Sequence, residues 1–209
     1  ASRDAEIVAV EPVSTTRARL TQPLALNRLQ SCILIAPMAL AGLPGTATFF
    51  VLGCSGNVAG SLRRLHPDEG DSKASVDVAT CDENLAPRIP PSATTLIKVD
   101  IEGAEHLFLR VATSVISRGA IFFIELSRKW STAFNTSAAA ILDNVFGKGY
   151  TCFATSKSDT QLFQLRPVTV MDESAEETNF LLAPGVVPPG VCGAIRQNIV
   201  DAGPTGSTK

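Results

Sequence analysis

The stretch "LIKVDIEGAE", residues 96–105, decides the fold of this chain. Lys98, Asp100 and Glu102 alternate in it with aliphatic residues before a glycine closes the run. An ion buried without a partner costs several kcal/mol, so an ordinary core strand avoids such charges. The period of two predicts that both acids lie on one side near the end of a strand, which is either an exposed edge or opens at its end into a site that uses carboxylates.

Strands and helices are predicted to alternate around this stretch. "EIVAVEP" (6–12) predicts a short strand, and Ser14 begins a helix that runs to about Asn27. "SCILIAPMAL" (31–40) predicts a second strand that bends at Pro37. "GTATFFVLG" and "KASVDVATC" have the character of hairpin or edge strands, with a loop between them.

The second half of the chain continues the alternation. Apolar residues at helical spacing predict a helix from Ala104 to Ile116, and a second helix is predicted from about Ser137 to Phe146. Between them "AIFFIELS" (120–127) predicts a buried strand, and "YTCFATS", "QLFQL" and "NFLLAP" predict three late strands. The expected fold is therefore α/β, with a mostly parallel sheet to which antiparallel strands are added late.

Four carboxylates lie at the ends of the apolar strands, where the ligand crevice of such a sheet is expected: Glu11, Asp100, Glu102 and Glu125. An acid at the position of Glu11 can accept hydrogen bonds from both hydroxyls of a ribose, although a solvated carboxylate is the alternative. Glu102 and Glu105 also fit a second interpretation, in which they cap the helix that follows Gly103. That interpretation leaves Asp100 unexplained.

Composition excludes several classes of protein. The 209 residues are 45% apolar and 18% charged, which is typical of a globular domain, and the formal net charge of −2 gives no global attraction to nucleic acid. No apolar run approaches the roughly 20 residues that a membrane span needs. The five cysteines are widely spaced and form no C-x-x-C pair, which favours reduced thiols and a cytoplasmic location.

The segment "IKVDIEGAE" resembles the hallmark segment of the FkbM-type family of S-adenosylmethionine-dependent methyltransferases. Further segments are similar to that family in the expected order, over roughly residues 7 to 184. They are "VAVEP" with the later Leu20, Leu26 and Asn27, "MALAGLPGTATF", "VATCDENL", "IFFIEL" and "NFLLAP". One such match would be weak, but the ordered set is hard to obtain by chance.

The resemblance implies a class I (Rossmann-like) methyltransferase fold, S-adenosylmethionine as cofactor and, typically, a hydroxyl on a small molecule or sugar as methyl acceptor. It implies that Glu11 holds the cofactor ribose and that Ala39 and Leu40 lie near the adenine. Asp100 and Glu102 would face the reaction centre, with Asp100 toward the cofactor. Glu125 would line the substrate side.

The chain departs from the family in one respect. Nothing before "DAEIVAVEP" supplies the first strand and its glycine-rich loop, and the cluster "GCSGNVAG" (53–60) follows the third strand instead. The expectation is therefore an N-terminally incomplete methyltransferase domain over residues 1–184, followed by a flexible tail over 185–209. A non-catalytic remnant that cannot bind cofactor is the alternative.

Two other chemistries are weaker. A hydrolase using Ser55 or Cys54 would need G-x-S-x-G between a strand and a helix, and Asn57 breaks that pattern. Asp100, Glu102 and His106 offer ligands for magnesium or manganese, but their spacing matches no metal motif closely, so no metal site is predicted.

Overall fold

A computed structural model describes residues 5–54, 57–64, 72–158, 161–167 and 177–185 of the chain. Its strands are β1 (Ile7–Val10), β2 (Ile33–Ala36), β3 (Ala39–Leu40), β4 (Gly45–Cys54), β5 (Asn57–Ser61), β6 (Ser72–Ala79), β7 (Leu96–Val99), β8 (Ile121–Ser127), β9 (Tyr150–Ser158), β10 (Gln161–Pro167) and β11 (Glu177–Pro184). Its helices are α1 (Ser14–Leu26), α2 (Cys81–Asn84), α3 (Glu105–Val111), α4 (Thr113–Ser117), α5 (Arg128–Ala133) and α6 (Ala138–Phe146), with a 3₁₀ turn over Ala86–Arg88.

The strands of the described residues form three sheets. β1 and β2 make a two-stranded sheet, and a four-stranded sheet has the order β3-β6-β4-β5. A five-stranded sheet has the order β10-β9-β11-β8-β7, so that β7 lies at one of its edges. In the described part of the chain, helices separate β1 from β2 and lie on both sides of β7 and β8, whereas β2 to β6 and β9 to β11 follow one another without a helix, and the fold is α/β with mixed sheets.

The expectation of a mostly parallel sheet is wrong. Three pairs are parallel, namely β1–β2, β3–β6 and β7–β8, whereas β4 pairs antiparallel with β5 and β6, and β11 pairs antiparallel with β8 and β9. The reason lies in the connections, because a parallel crossover needs a dozen or more residues. Only two residues separate β4 from β5, which permits a hairpin and nothing else.

The predicted second strand is divided by Pro37. β2 ends at Ala36 and pairs with β1, whereas β3 begins at Ala39 and pairs with β6 of a different sheet. Proline has no N–H to donate to a ladder, which is why the chain changes sheets there. The sequence did not predict β5, which lies in the segment read as a loop.

The helix predicted from Ala104 to Ile116 is broken into α3 and α4. The break falls at Ala112 (φ −87°, ψ 38°). The carboxylate of Asp82 accepts hydrogen bonds from the Ser114 N–H (2.9 Å) and the Thr113 hydroxyl, and so caps the first turn of α4. A cap supplied from a distant part of the chain cannot be read from local periodicity. The helices predicted from Ser14 and Ser137 are confirmed as α1 and α6.

The main hydrophobic core joins the five-stranded sheet to α3, α4 and α6. The Phe122 ring of β8 meets the Phe108 ring of α3 at 6.4 Å and the Tyr150 ring of β9 at 5.9 Å. Both phenylalanines are at least 98% buried, and each large apolar side chain buried in this way stabilises the fold by about 1.5–3 kcal/mol. This core fixes the position of β7, whose carboxyl end carries the acids of interest.

The described helices include none that is long and apolar enough to cross a membrane. The tail predicted to be flexible, apart from Gly185, lies outside the described residues.

Candidate active site

A cavity of about 810 Å³ lies between β1 and β7. Its lining includes residues 6–13 along β1, 38–40 at β3 and 95–102 along β7. The volume is within the ~300–1,000 Å³ usual for small-molecule sites, and apolar side chains form most of the wall. Glu11, Asp100 and Glu102 all line this cavity, so three of the four predicted acids border the same space.

The facing edges of β1 and β7 carry backbone groups that no described strand pairs with. The N–H of Ile7 donates to Cys32 in the β2 direction, and the N–H of Ile121 in β8 donates to the carbonyl of Thr95. Since successive residues of a parallel strand direct their backbone groups to opposite sides, Val8 and Lys98 direct theirs toward the cavity. Both edges line the same space.

Glu11 follows β1 and is partly committed to local structure. Its Oε1 atom accepts a hydrogen bond from the Val13 N–H at 2.7 Å, next to the start of α1. Its backbone carbonyl accepts from Arg17 at 2.9 Å. One carboxylate oxygen therefore holds the residue that precedes α1, and the other is not hydrogen-bonded to any described residue. Glu11 thus combines the capping role of a structural acid with a place in the cavity wall.

Ala39 and Leu40 form β3 and are 6% and 8% exposed. Both line the cavity, close to Met38, because Pro37 redirects the chain from the first sheet to the four-stranded sheet at this point. They give this side of the cavity an apolar wall.

Asp100 follows the last residue of β7 and has a cation beside it. The ammonium of Lys98 donates a hydrogen bond to Asp100 Oδ2 at 2.7 Å. That hydrogen bond raises the pKa of Lys98, as do the charges of Asp100 and Glu125, against a smaller opposing effect of burial. Lys98 is thus the counter-charge of this group of acids, as its position two residues before Asp100 predicts.

Glu102 lies in a turn rather than in the strand. β7 ends at Val99, and Glu102 and Gly103 have φ of 51° and 101°, so the two-residue period does not extend to Glu102. A left-handed conformation costs an L-residue such as Glu about 1–2 kcal/mol. Glycine is needed at 103, because a Cβ there would lie 2.6 Å from Phe134 Cδ2. The interpretation of the strand period is corrected, although Glu102 still lines the cavity.

The side chain of Glu105 accepts hydrogen bonds from the backbone of the same turn. It is 3% exposed, and its Oε1 accepts hydrogen bonds from the N–H groups of Gly103 (3.0 Å) and Ile101 (3.3 Å). Burial raises the pKa of the Glu105 carboxyl, and the hydrogen bonds partly oppose that rise. The sequence placed Glu105 only as a possible cap. The signal for a buried role was its position directly after "EGA", at the first turn of a helix that packs into the core.

Glu125 does not join the other acids in the cavity wall. It lies within β8, two residues before the strand ends, opposite Asn179 of β11. It is near enough to Lys98 to contribute to the raised pKa of that lysine.

His106 takes part in packing rather than in ligand binding. Its Nδ1 lies 3.2 Å from the Gly103 carbonyl, and its ring meets the edge of Phe134 at 5.7 Å. Burial lowers the pKa of His106. In the part of the chain that the structure describes, no three His, Cys, Asp or Glu side chains are grouped to hold a metal ion.

Comparison with known proteins finds a family model that matches most of the chain. The model of the Methyltransferase FkbM domain matches residues 3–152. The chain is also similar to the crystal structure of Methyltransferase FkbM from Methylobacillus flagellatus KT, with 16% identity and a TM-score of 0.49. That alignment covers 85% of this chain and 36% of the other, so this chain spans about a third of that protein's length. No curated protein matches the chain significantly.

The family match includes β1, the cavity and the turn after β7. Because it covers well over half of the chain, the chain belongs to the FkbM methyltransferase domain family.

Proposed function

We propose that this protein is an S-adenosylmethionine-dependent methyltransferase that methylates a hydroxyl of a small molecule or sugar. The observation that carries the proposal is the meeting of Glu11, Asp100 and Glu102 in one cavity of a chain from a methyltransferase family. Acids at strand ends beside an apolar wall suit a ligand with a ribose, a flat base and a cationic centre.

The residues of the cavity fit this cofactor. The second carboxylate oxygen of Glu11 would accept hydrogen bonds from ribose hydroxyls, and the buried wall at Ala39 and Leu40 would contact the adenine. Asp100 would hold a cationic part of the ligand, since it already attracts the ammonium of Lys98. When bound, S-adenosylmethionine supplies a methyl group on a sulfonium cation.

Glu102 is the proposed base. An acceptor hydroxyl must lose its proton as it gains a methyl group, and a carboxylate placed beside it can accept that proton. Glu125, on β8 next to β7, would line the acceptor side. Holding the acceptor in position supplies a further part of the rate, independent of any base.

We also propose that the complete sheet has the class I methyltransferase arrangement. In that fold another strand lies between the two strands that correspond to β1 and β7. The proposal is supported by the unpaired edges that these two strands direct into the cavity. It explains why two parallel pairs, β1–β2 and β7–β8, lie on opposite sides of one groove.

A non-catalytic remnant remains the second candidate, because β1 and β7 lie in different sheets and Glu11 and Asp100 already bind groups of this chain. Titration calorimetry with S-adenosylmethionine separates the two. For a methyltransferase we expect clear binding by the protein as its gene encodes it. A remnant would not bind.

The thiols support a reducing, cytoplasmic location, which we also propose. The three cysteines whose side chains are described, Cys32, Cys81 and Cys152, are free. Burial raises the pKa of Cys81 and of Cys152 to about 12, with the charge of Asp82 adding to the effect at Cys81. Both are therefore protonated at neutral pH and behave as small hydrophobic side chains.

Two substitutions in the protein as its gene encodes it test the roles of the acids. Asp100→Asn should weaken S-adenosylmethionine binding about tenfold or more, the effect of losing a charged hydrogen-bond partner. Glu102→Gln should lower kcat while the affinity for S-adenosylmethionine stays unchanged. Turnover of Glu102→Gln close to that of the wild type would exclude Glu102 as the base.

A further inference from the structure

The turn after β7 is held by contacts from three separate parts of the chain. It contains Glu102, the only acid of the described cavity wall that has a positive φ. A backbone conformation that an L-residue avoids persists only where its surroundings impose it.

The first contact comes from Ser61, the last residue of β5. Its hydroxyl donates a hydrogen bond of 2.7 Å to the backbone carbonyl of Glu102, across 41 positions of sequence. The same oxygen accepts from the N–H of Arg63 at 3.3 Å. Ser61 is fully buried, so water does not compete for its hydroxyl. Its position links the end of β5 in the four-stranded sheet to the turn that follows the edge strand of the five-stranded sheet.

The second contact comes from Glu105, at the start of α3. A single oxygen, Oε1, accepts both the Gly103 and the Ile101 N–H groups, one on each side of Glu102. Two donors that flank a residue and point at one buried acceptor fix the path of the backbone between them. Because one atom accepts both bonds, a glutamine at 105 can keep them through its amide oxygen.

The third contact is steric. Gly103 packs so closely on α5 that a Cβ would lie 2.6 Å from the Phe134 ring and 3.1 Å from the carbonyl of Trp130. Arg63 also contacts this region. Its guanidinium lies 5.1 Å from the Phe134 ring centre, and its Nη1 donates a hydrogen bond of 2.9 Å to the Ala133 carbonyl. The close packing of Gly103 on α5 therefore restricts the turn, and the hydrogen bonds of Ser61 and Glu105 fix its backbone.

We propose that Ser61 and Glu105 are positioning residues, which hold the backbone of Glu102 in its left-handed conformation and so keep this residue in the cavity wall before any ligand binds. The purpose of that placement rests on the proposed function, in which Glu102 accepts a proton from the acceptor. The arrangement spares the protein an ordering step on binding, since the turn is fixed in advance.

Amide hydrogen exchange on the 209-residue chain tests the proposal without cofactor or acceptor. In Ser61→Ala, which loses one buried hydrogen bond, we expect the protection of the Gly103 N–H to fall about tenfold. In Glu105→Met, which loses the acceptor of two N–H groups, it should fall at least as much. Ser61→Thr and Glu105→Gln, which keep the hydroxyl and the acceptor, should retain protection to within about twofold of the wild type. Ser117→Ala is the control for loss of a serine hydroxyl, because the exposed Ser117 hydroxyl also donates to a backbone carbonyl (2.9 Å, to Ser114) but lies in α4, outside the turn.

Three results would overturn the proposal. Wild-type protection of Gly103 in both Ser61→Ala and Glu105→Met would show that the packing of Gly103 on α5 alone holds the turn. An equal fall in Ser117→Ala would show that the loss of protection is not specific to the turn. An equal fall in Ser61→Thr and Glu105→Gln would show that packing rather than hydrogen bonding matters. If the proposal holds but S-adenosylmethionine does not bind the protein as its gene encodes it, only the proposed function fails.

Discussion

The ammonium of Lys98 lies 2.7 Å from the carboxylate of Asp100, at the cavity end of β7. The lysine side chain is 60% exposed and the aspartate 36%, so solvent screens the pair. Such exposed pairs contribute about 0–1 kcal/mol to stability. The pair therefore matters more for what Asp100 can bind than for folding, because a cationic ligand must share Asp100 with Lys98.

Replacing Lys98 should strengthen binding of a cationic ligand. In Lys98→Met the free energy of unfolding should change by less than about 1 kcal/mol, while the affinity for S-adenosylmethionine should rise by up to about fivefold. Urea unfolding measures the change in the free energy of unfolding. Titration calorimetry on the protein as its gene encodes it measures the affinity and its dependence on salt. Lys129→Met is the control, since Lys129 lies over the ring of Trp130 instead (5.9 Å). A weaker affinity in Lys98→Met would mean that Lys98 itself contacts the ligand.

The left-handed backbone of Glu102 predicts a variant that is stabilised and inactive. Glu102→Gly removes a conformational cost of about 1–2 kcal/mol from the folded state. The greater freedom of glycine in the unfolded chain opposes this by roughly 0.4–1 kcal/mol, so the net gain in stability is up to about 1.5 kcal/mol. Turnover should fall, because the carboxylate is lost. Urea unfolding and a methyl-transfer assay measure the two effects.

Two controls separate strain from chemistry. Arg28, after the end of α1, has φ of 56° and lies outside the cavity wall, so Arg28→Gly should stabilise the protein similarly without loss of turnover. Glu102→Ala should lose turnover without the gain in stability, since alanine has the same conformational cost as glutamate. No gain in Glu102→Gly alongside a gain in Arg28→Gly would show that the turn at Glu102 is not strained.

The buried carboxyl of Glu105 predicts a pH-dependent stability. Burial raises the pKa of Glu105 above its ordinary value of 4.5, so the folded protein binds this proton more tightly than the unfolded chain does. The contribution of this group to stability is therefore greatest below pH 4.5 and is lost as the pH rises through the raised pKa.

A neutral glutamine removes that dependence. Glu105→Gln should have a higher Tm than the wild type at pH 7 to 8, and the difference should shrink as the pH falls toward 4.5. Glu6→Gln, a change at an exposed glutamate before β1, should leave the Tm unchanged throughout. An advantage of Glu105→Gln that is constant with pH would show that burial of the charge is not the cause.

The sequence was sufficient for most of the local elements and for the family, because these depend on short-range patterns. Hydrophobic runs bounded by proline and glycine located β1, β7 and β8, and the segment around Asp100 carried the resemblance that the family match confirms. The strand-end rule placed Glu11 and Asp100 at one cavity even though the sheets are mixed, whereas Glu102 reaches that cavity from the turn after β7 and Glu125 does not line it.

What the sequence did not show depends on contacts between distant residues. Which strands pair antiparallel depends on connection lengths and on partners far along the chain, as for β11 against β8. The positive φ of Glu102 requires Ser61, 41 positions away, and the break at Ala112 requires Asp82. Neither partner has a sequence pattern of its own, because a serine hydroxyl or an aspartate oxygen serves as a cap only where the fold brings it.

The central claim, that the cavity between β1 and β7 binds S-adenosylmethionine through Glu11, is tested most directly by calorimetric titration of Glu11 variants in the protein as its gene encodes it. Glu11→Ala should weaken binding by about 1.5–3 kcal/mol, and it should also lower the Tm because the Val13 N–H loses its acceptor. Glu11→Gln keeps an acceptor for Val13 and loses only the charge, so it should weaken binding while the Tm stays at the wild-type value. Wild-type affinity in Glu11→Gln, together with a Tm loss confined to Glu11→Ala, would contradict the account and leave Glu11 as a cap of α1 alone.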